Sequence, residues 1–149
     1  MGNATTDDSF VNLLFAVFKD PTRRKILHVL REMKLTADEI TKLIGISRPA
    51  IEKHLKQMME VGLIERFADT FPTLRYLYSI SQPGIELITN LEDSINAYIT
   101  ALYTNYNRKL ENEEQRYLLG YSTKERYVLI KEAYKNIIEK LKRAKKFKV

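Results

Sequence analysis

Arg48, Lys53 and Lys56 follow Ser47 along one helical run, and these cations are the strongest chemical signal in the chain. Such side chains suit binding rather than bond-making. An arginine offers two N–H groups that fit O6 and N7 of a guanine, and lysines neutralise phosphates. Little else has reactive potential. There is no cysteine, which excludes a disulfide framework, a thiol nucleophile and a thiolate metal site. The two histidines are His28 and His54. His28 has Glu32 one turn on, which reads as a surface pair, because a closed metal site needs about four ligands. No nucleophile–base pair, phosphate-cradling glycine loop or clustered carboxylate pair stands at a recognisable spacing, so neither catalysis nor a cofactor is expected.

The elements that must position those cations can be read from periodicity and caps. Residues 7–19 form a first helix in which Phe10, Val11, Leu13, Leu14, Phe15, Val17 and Phe18 cover almost the whole circumference. A helix apolar all round is buried on more than one side, which in a chain this small points to a second subunit. Asp20 and Pro21 open a second helix with Ile26, Leu27, Leu30 and Met33 as its stripe. Thr36 and Glu39 form a capping box ahead of a short helix with Ile40, Leu43 and Ile44 inward. Gly45 ends it, Ser47 caps the next helix, Pro49 sits in its first turn, and Gly62 stops it. Residues 63–66 and the alternation of Leu74, Tyr76, Tyr78 and Ile80 predict two strands of a hairpin with a loop over 67–73. A long helix then carries Ile85, Ile88, Leu91, Ile95, Tyr98, Leu102 and Tyr106 in a coiled-coil-like seam. After Gly120, Ser122 and Glu125 suggest a further capping box before a last helix with Tyr127, Ile130, Tyr134, Ile137, Ile138 and Leu141 as its stripe.

The expected fold class is mainly α with a small β-hairpin: a winged helix-turn-helix followed by long dimerisation helices. The expected domains are residues 1–81, binding DNA, and residues 82–149, a helical dimerisation region with a basic tail. In such a unit the second helix of the turn enters the major groove and presents its N-terminal residues to base edges. The formal charge is +6, and Lys140, Lys142, Arg143, Lys145, Lys146 and Lys148 account for all of it, so the rest is formally neutral. That tail reads as a solvated, frayed end or as a sequence-independent DNA contact. No apolar run is long enough to span a bilayer, and no membrane partner is expected. A cytoplasmic location is expected.

Three stretches carry a resemblance. Asp20-Pro21-Thr22-Arg23-Arg24-Lys25-Ile26-Leu27 resembles the entry to the second helix of ArsR-like winged-helix regulators. Ile46-Ser47-Arg48-Pro49-Ala50-Ile51-Glu52-Lys53-His54-Leu55 looks like their recognition helix, and Met59-Glu60-Val61-Gly62-Leu63-Ile64 is similar to its passage into the wing. The resemblance implies double-stranded DNA as partner, with contacts from Ser47, Arg48, Ala50, Lys53 and His54. Their neighbours complete the candidate set: Pro49 and Lys56 on the same helix, Thr36 at the preceding cap, and Arg66 and Arg75 flanking the wing. It also implies a homodimer through the first helix and the long helix, with Phe10, Leu14, Phe18, Ile88, Leu91, Ile95, Tyr98, Leu102 and Tyr106 at the interface. Metal-sensing members use cysteines, or His and acidic ligands on the dimer helix; that helix offers Glu86, Glu92 and Asp93 but no His, so no metal is expected.

Blander readings stand beside these. His54 either packs at the helix edge or reads a base. Tyr98, Tyr103 and Tyr106 either fill an interface or line a pocket for an unidentified small-molecule effector. The chain as a whole is read as a sequence-specific regulator. The alternatives are an architectural, chromatin-type DNA-binding protein with little sequence choice, or a winged-helix subunit that only binds protein.

Overall fold

The computed structural model describes residues 7–149. Its elements are α1 (Ser9–Lys19), α2 (Pro21–Leu30), α3 (Ala37–Ile44), α4 (Arg48–Glu60), β1 (Ile64–Asp69), β2 (Arg75–Ile80), α5 (Gln82–Leu118) and α6 (Lys124–Arg143). They form two compact units: one runs through Asn90 and includes Lys148 and Val149, and the other is Leu91–Phe147. The first turns of α5 thus belong to the first unit, where Ile88 is fully buried.

In the first unit, local hydrogen bonds set each helix start. The Asp20 carboxylate accepts from the backbone N–H of Thr22 (2.8 Å) and Arg23 (3.1 Å), two of the donors a helix start leaves unsatisfied. Arg23 donates to the Ala16 carbonyl (2.7 Å), and Arg24 donates to those of Phe18 and Lys19, so the same segment seals the C-terminus of α1. The Thr36–Glu39 capping box is present, and Gly45 takes φ 82°, the left-handed conformation that turns α3 into α4. Ser47 accepts from the Ala50 N–H at 3.4 Å. Ile26, Leu27, Ile40, Ile51, Leu55 and Met58 are all fully buried and form the core of the helical layer.

β1 and β2 pair antiparallel from Ile64↔Ile80 to Asp69↔Arg75. Leu35 adds a single bridge to Tyr78, with N–H···O distances of 3.1 and 2.8 Å, and this ties the hairpin to the helical layer. Ser81 is buried; its hydroxyl donates to the Gly62 carbonyl (2.6 Å) and accepts from the Gly84 N–H (3.0 Å). This joint holds the end of the hairpin and the start of α5 against the end of α4.

In the second unit, α5 and α6 meet through large side chains. Tyr117 stacks on Tyr127 at 4.4 Å, and Tyr106 meets Tyr134 edge-on at 5.8 Å. The buried Glu113 accepts from the Ser122 hydroxyl at 2.9 Å and has Arg126 at 3.9 Å. The seam on α5 is therefore partly covered in cis by α6.

Several expectations need correction. α6 is capped by Thr123, which accepts from the Arg126 N–H at 3.2 Å, because the Ser122 hydroxyl is engaged by Glu113. Leu43 is exposed, since Ile40 takes the inward place on a helix of only two turns. Met33 lies beyond α2 and is exposed. The first hairpin strand is longer and the loop shorter than expected; Leu74 falls outside β2, and both Leu74 and Tyr76 are exposed. The end of the tail is not frayed: Asn96 exchanges hydrogen bonds with the backbone of Phe147 (2.9 and 2.8 Å), and Val149 is buried.

Candidate nucleic-acid interface

α4 has two faces. Ile51, Leu55 and Met58 are wholly buried, while Arg48, Pro49, Glu52, Lys53 and Lys56 are exposed on the other side, with Ser47 exposed at the cap. Ala50 and His54 are half-buried at the boundary. The i, i+4 and i+7 spacing of the apolar residues produces this division directly. The helix start is thus free to approach a large partner while the buried face fixes its orientation.

A groove of about 600 Å³ lies between the starts of α3 and α4 and the hairpin, and its lining includes Thr36, Arg48, Arg66 and Arg75. Four of the expected residues therefore converge. Lys53, His54 and Lys56 lie farther along α4, outside that groove. Thr36 is half-buried, and its hydroxyl is occupied with Glu39.

The arginines are not bare charges. Arg48 donates from Nη1 to Asp38 (2.8 Å) and from Nε to Glu52 (3.2 Å), and these bonds, Glu52's first, raise its pKa further above the ordinary range. Arg66 lies over the Tyr76 ring at 4.6 Å, a cation–π contact. Arg75 pairs with Asp69 at 3.0 Å. His54 accepts on Nδ1 from Arg23 Nε at 3.1 Å, which needs the neutral ring with its proton on Nε2. Burial is the main cause that lowers the His54 pKa; Arg23 and Lys53 add to it, and Asp20 opposes it.

Sequence reasoning missed Asp38 and Glu52 as members of the groove. The Arg48–Glu52 pair was readable from its i, i+4 spacing; the Asp38 contact spans two helices and had no local signal. Phe71, in the hairpin loop and outside the groove, is 82% exposed.

Of the expected dimer residues, Phe10 and Tyr98 are exposed, and Leu14 and Phe18 are half-buried. Leu91, Ile95, Leu102 and Tyr106 are half-buried in the α5–α6 unit. Ile88 is a correction: it is fully buried in the first unit and has no surface to offer a partner. Val11, Leu13 and Phe15 on α1, which were outside the expected interface set, are exposed as well. Among the described residues, no three His, Asp or Glu side chains are grouped to hold a metal, and no helix is long and apolar enough to cross a membrane.

Comparison with known proteins agrees with this geometry. Residues 20–66 match the family described as bacterial regulatory protein, arsR family. Over 86 residues the chain is 35% identical to the transcriptional repressor SdpR of Bacillus subtilis (strain 168), covering 58% of this chain and 86% of SdpR. Two solved structures share the fold. A transcriptional regulator of the MarR family from Enterococcus faecalis V583 superposes with a TM-score of 0.53 at 20% identity, covering 72% of this chain and 99% of that one. The homodimeric winged helix-turn-helix DNA-binding domain of Mb0332 from Mycobacterium bovis gives 0.51 at 16% identity, covering 64% and 89%.

Proposed function

Because the chain belongs to the arsR family of bacterial regulatory proteins, transcription regulators of the winged-helix DNA-binding type, we propose that it binds double-stranded DNA sequence-specifically as a homodimer. The observation that carries this reading is the split of α4 into a fully buried apolar face and an exposed face bearing Arg48, Lys53 and Lys56. α4 would lie in the major groove, with Arg48 on a guanine and Ser47 with the helix N-terminus on a phosphate. Lys53 and Lys56 would neutralise backbone phosphates, and Arg66 and Arg75 would follow the backbone from the wing. Two copies would read half-sites about one helical turn apart. The exposed apolar residues of α1 support the second copy. By likeness to SdpR, a transcriptional repressor, the effect on the bound promoter would be repression, in the cytoplasm. The formally neutral body argues against the architectural alternative, which needs a broad cationic surface.

The test is a fluorescence-anisotropy titration against the DNA upstream of the protein's own gene and against a scrambled duplex, at several salt concentrations. Preference for one duplex that survives rising salt is the expected result. Arg48→Ala should then cost ~1–3 kcal/mol and relax choice at one base pair. Equal binding that collapses with salt would favour the architectural reading, and no binding at low salt would move α4 to a protein-partner role.

A further inference from the structure

Arg48 is placed to read a guanine, yet two carboxylates already hold it. Nη1 meets Asp38 at 2.8 Å and Nε meets Glu52 at 3.2 Å, with all three side chains more than half exposed. Asp38 comes from the first turn of α3 and Glu52 from the next turn of α4, so the clamp joins the two helices of the turn. We infer that Asp38 and Glu52 are specificity-determining residues, a carboxylate fork that positions Arg48 and withholds it from backbone phosphates. This rests on the DNA reading above.

The argument is one of charge and donor geometry. The three side chains together carry one net negative charge, so a phosphate approaching Arg48 meets repulsion where a bare arginine would attract it. A guanine edge is neutral. A guanidinium has five N–H groups, and the fork uses one on Nε and one on Nη1. Among the described residues none accepts from Nη2, so three N–H groups, two on Nη2 and one on Nη1, remain to meet O6 and N7. The arrangement therefore favours base edges over phosphates, a discrimination obtained by penalising the wrong ligand. Nearby cations do not cancel it: Arg75 is paired with Asp69, and the charge of Arg66, which stays whole over the Tyr76 ring, is balanced by Glu39 in the same groove. Because these ion pairs are exposed, their removal should scarcely change folding stability.

The experiment uses the full chain with Asp38→Asn, Glu52→Gln and both together, titrated with the own-upstream and scrambled duplexes across a salt series. Each single change should tighten binding to scrambled DNA about two- to fivefold, the scale of an exposed ion pair. The double variant should also steepen the salt slope on scrambled DNA by about 0.9, the signature of one added phosphate contact. Binding to the preferred duplex should gain less, so the ratio of specific to non-specific affinity falls. A purely structural role would change melting temperature and leave the slope alone. An unchanged slope and ratio would overturn the inference, as would a collapse of specific binding with scrambled binding unaltered, which would make Glu52 itself a base reader. Failure of the underlying DNA reading shows separately, as the unsubstituted protein failing to distinguish the two duplexes, and the inference falls with it.

Discussion

Phe15→Ala tests whether α1 is a self-association surface. Phe15 is 68% exposed, although Val17 on the same helix is buried in its own unit. A phenylalanine covers roughly 200 Å² when buried, so about 135 Å² of it still meets water. Covering that area at ~25 cal/mol per Å² is worth roughly 3 kcal/mol per copy. Side-chain ordering and the methyl that alanine retains reduce the loss on truncation to roughly half of this. An isologous interface contains the residue twice, which gives about 3 kcal/mol per dimer. At 1.4 kcal/mol per tenfold, the dimer dissociation constant should rise about 100-fold. Sedimentation velocity over a concentration series measures this directly, with circular dichroism to show that helicity is retained. Equal association of the two proteins, or a monomeric parent at every concentration, would refute the reasoning and leave the apolar face of α1 without this role.

Gly84→Ala should destabilise by about 1–3 kcal/mol, because its Cβ would lie 2.6 Å from the Leu63 carbonyl oxygen, itself held by the Ser81 N–H; a melting temperature equal to the parent's would contradict this. Asp20→Ala should cost ~1–2 kcal/mol through loss of the α2 cap. Burial pushes the Asp20 carboxyl up, but the N–H groups of Arg23 and Thr22, with the charge of Arg23 and that of His54 once acid protonates it, outweigh it and leave the pKa lowered. A lowered folded pKa means that this stabilisation is present above the unfolded value and is lost as pH falls through the folded one. The gap between the urea midpoints of parent and variant should therefore narrow as pH falls below the ordinary aspartate value of about 3.9, and a constant gap would be the wrong outcome. The His54 pKa is also lowered, so its contribution is complete above about pH 6.5 and declines below it. His54→Gln should remove part of the fall in melting temperature between about pH 7.5 and 5; an identical pH profile would mean that the Arg23 contact does not matter.

What the sequence made legible was local. The Thr36–Glu39 box, the Asp20 and Ser47 caps and the left-handed Gly45 all depend on residues within four positions, and all are present. The buried face of α4 follows from spacing alone. What was not legible depended on partners distant in sequence. Arg23 and Arg24 stand in the first turn of α2, but the carbonyls they seal belong to α1. Ser122 and Thr123 are adjacent hydroxyls equally able to cap α6, and only the buried Glu113 decides between them. The seam on α5 shows a related limit. A heptad-like stripe announces that a helix covers it without saying which chain supplies that helix, and here α6 covers part of it. Ile88 fits the same stripe yet is buried in the first unit, because Ser81 and Gly84 pin the start of α5 against the end of α4.

The neutral charge of the body is easier to understand from these contacts than from the sum. Acids accompany Arg48, where discrimination would occur, and Arg75 on the wing, but not the two lysines farther along α4. Lys53 and Lys56 are exposed, and no hydrogen bond or ion pair engages either among the described residues. The six tail cations follow in a stretch without any acid of its own, although Lys142 pairs with Glu139 just before it. Affinity and choice would then reside in different residues: lysines set how tightly the protein holds any duplex, and a clamped arginine sets which duplex it prefers. A protein built this way needs no large net charge, because excess attraction would raise binding to every competing site equally and so lower the fraction bound at the correct one.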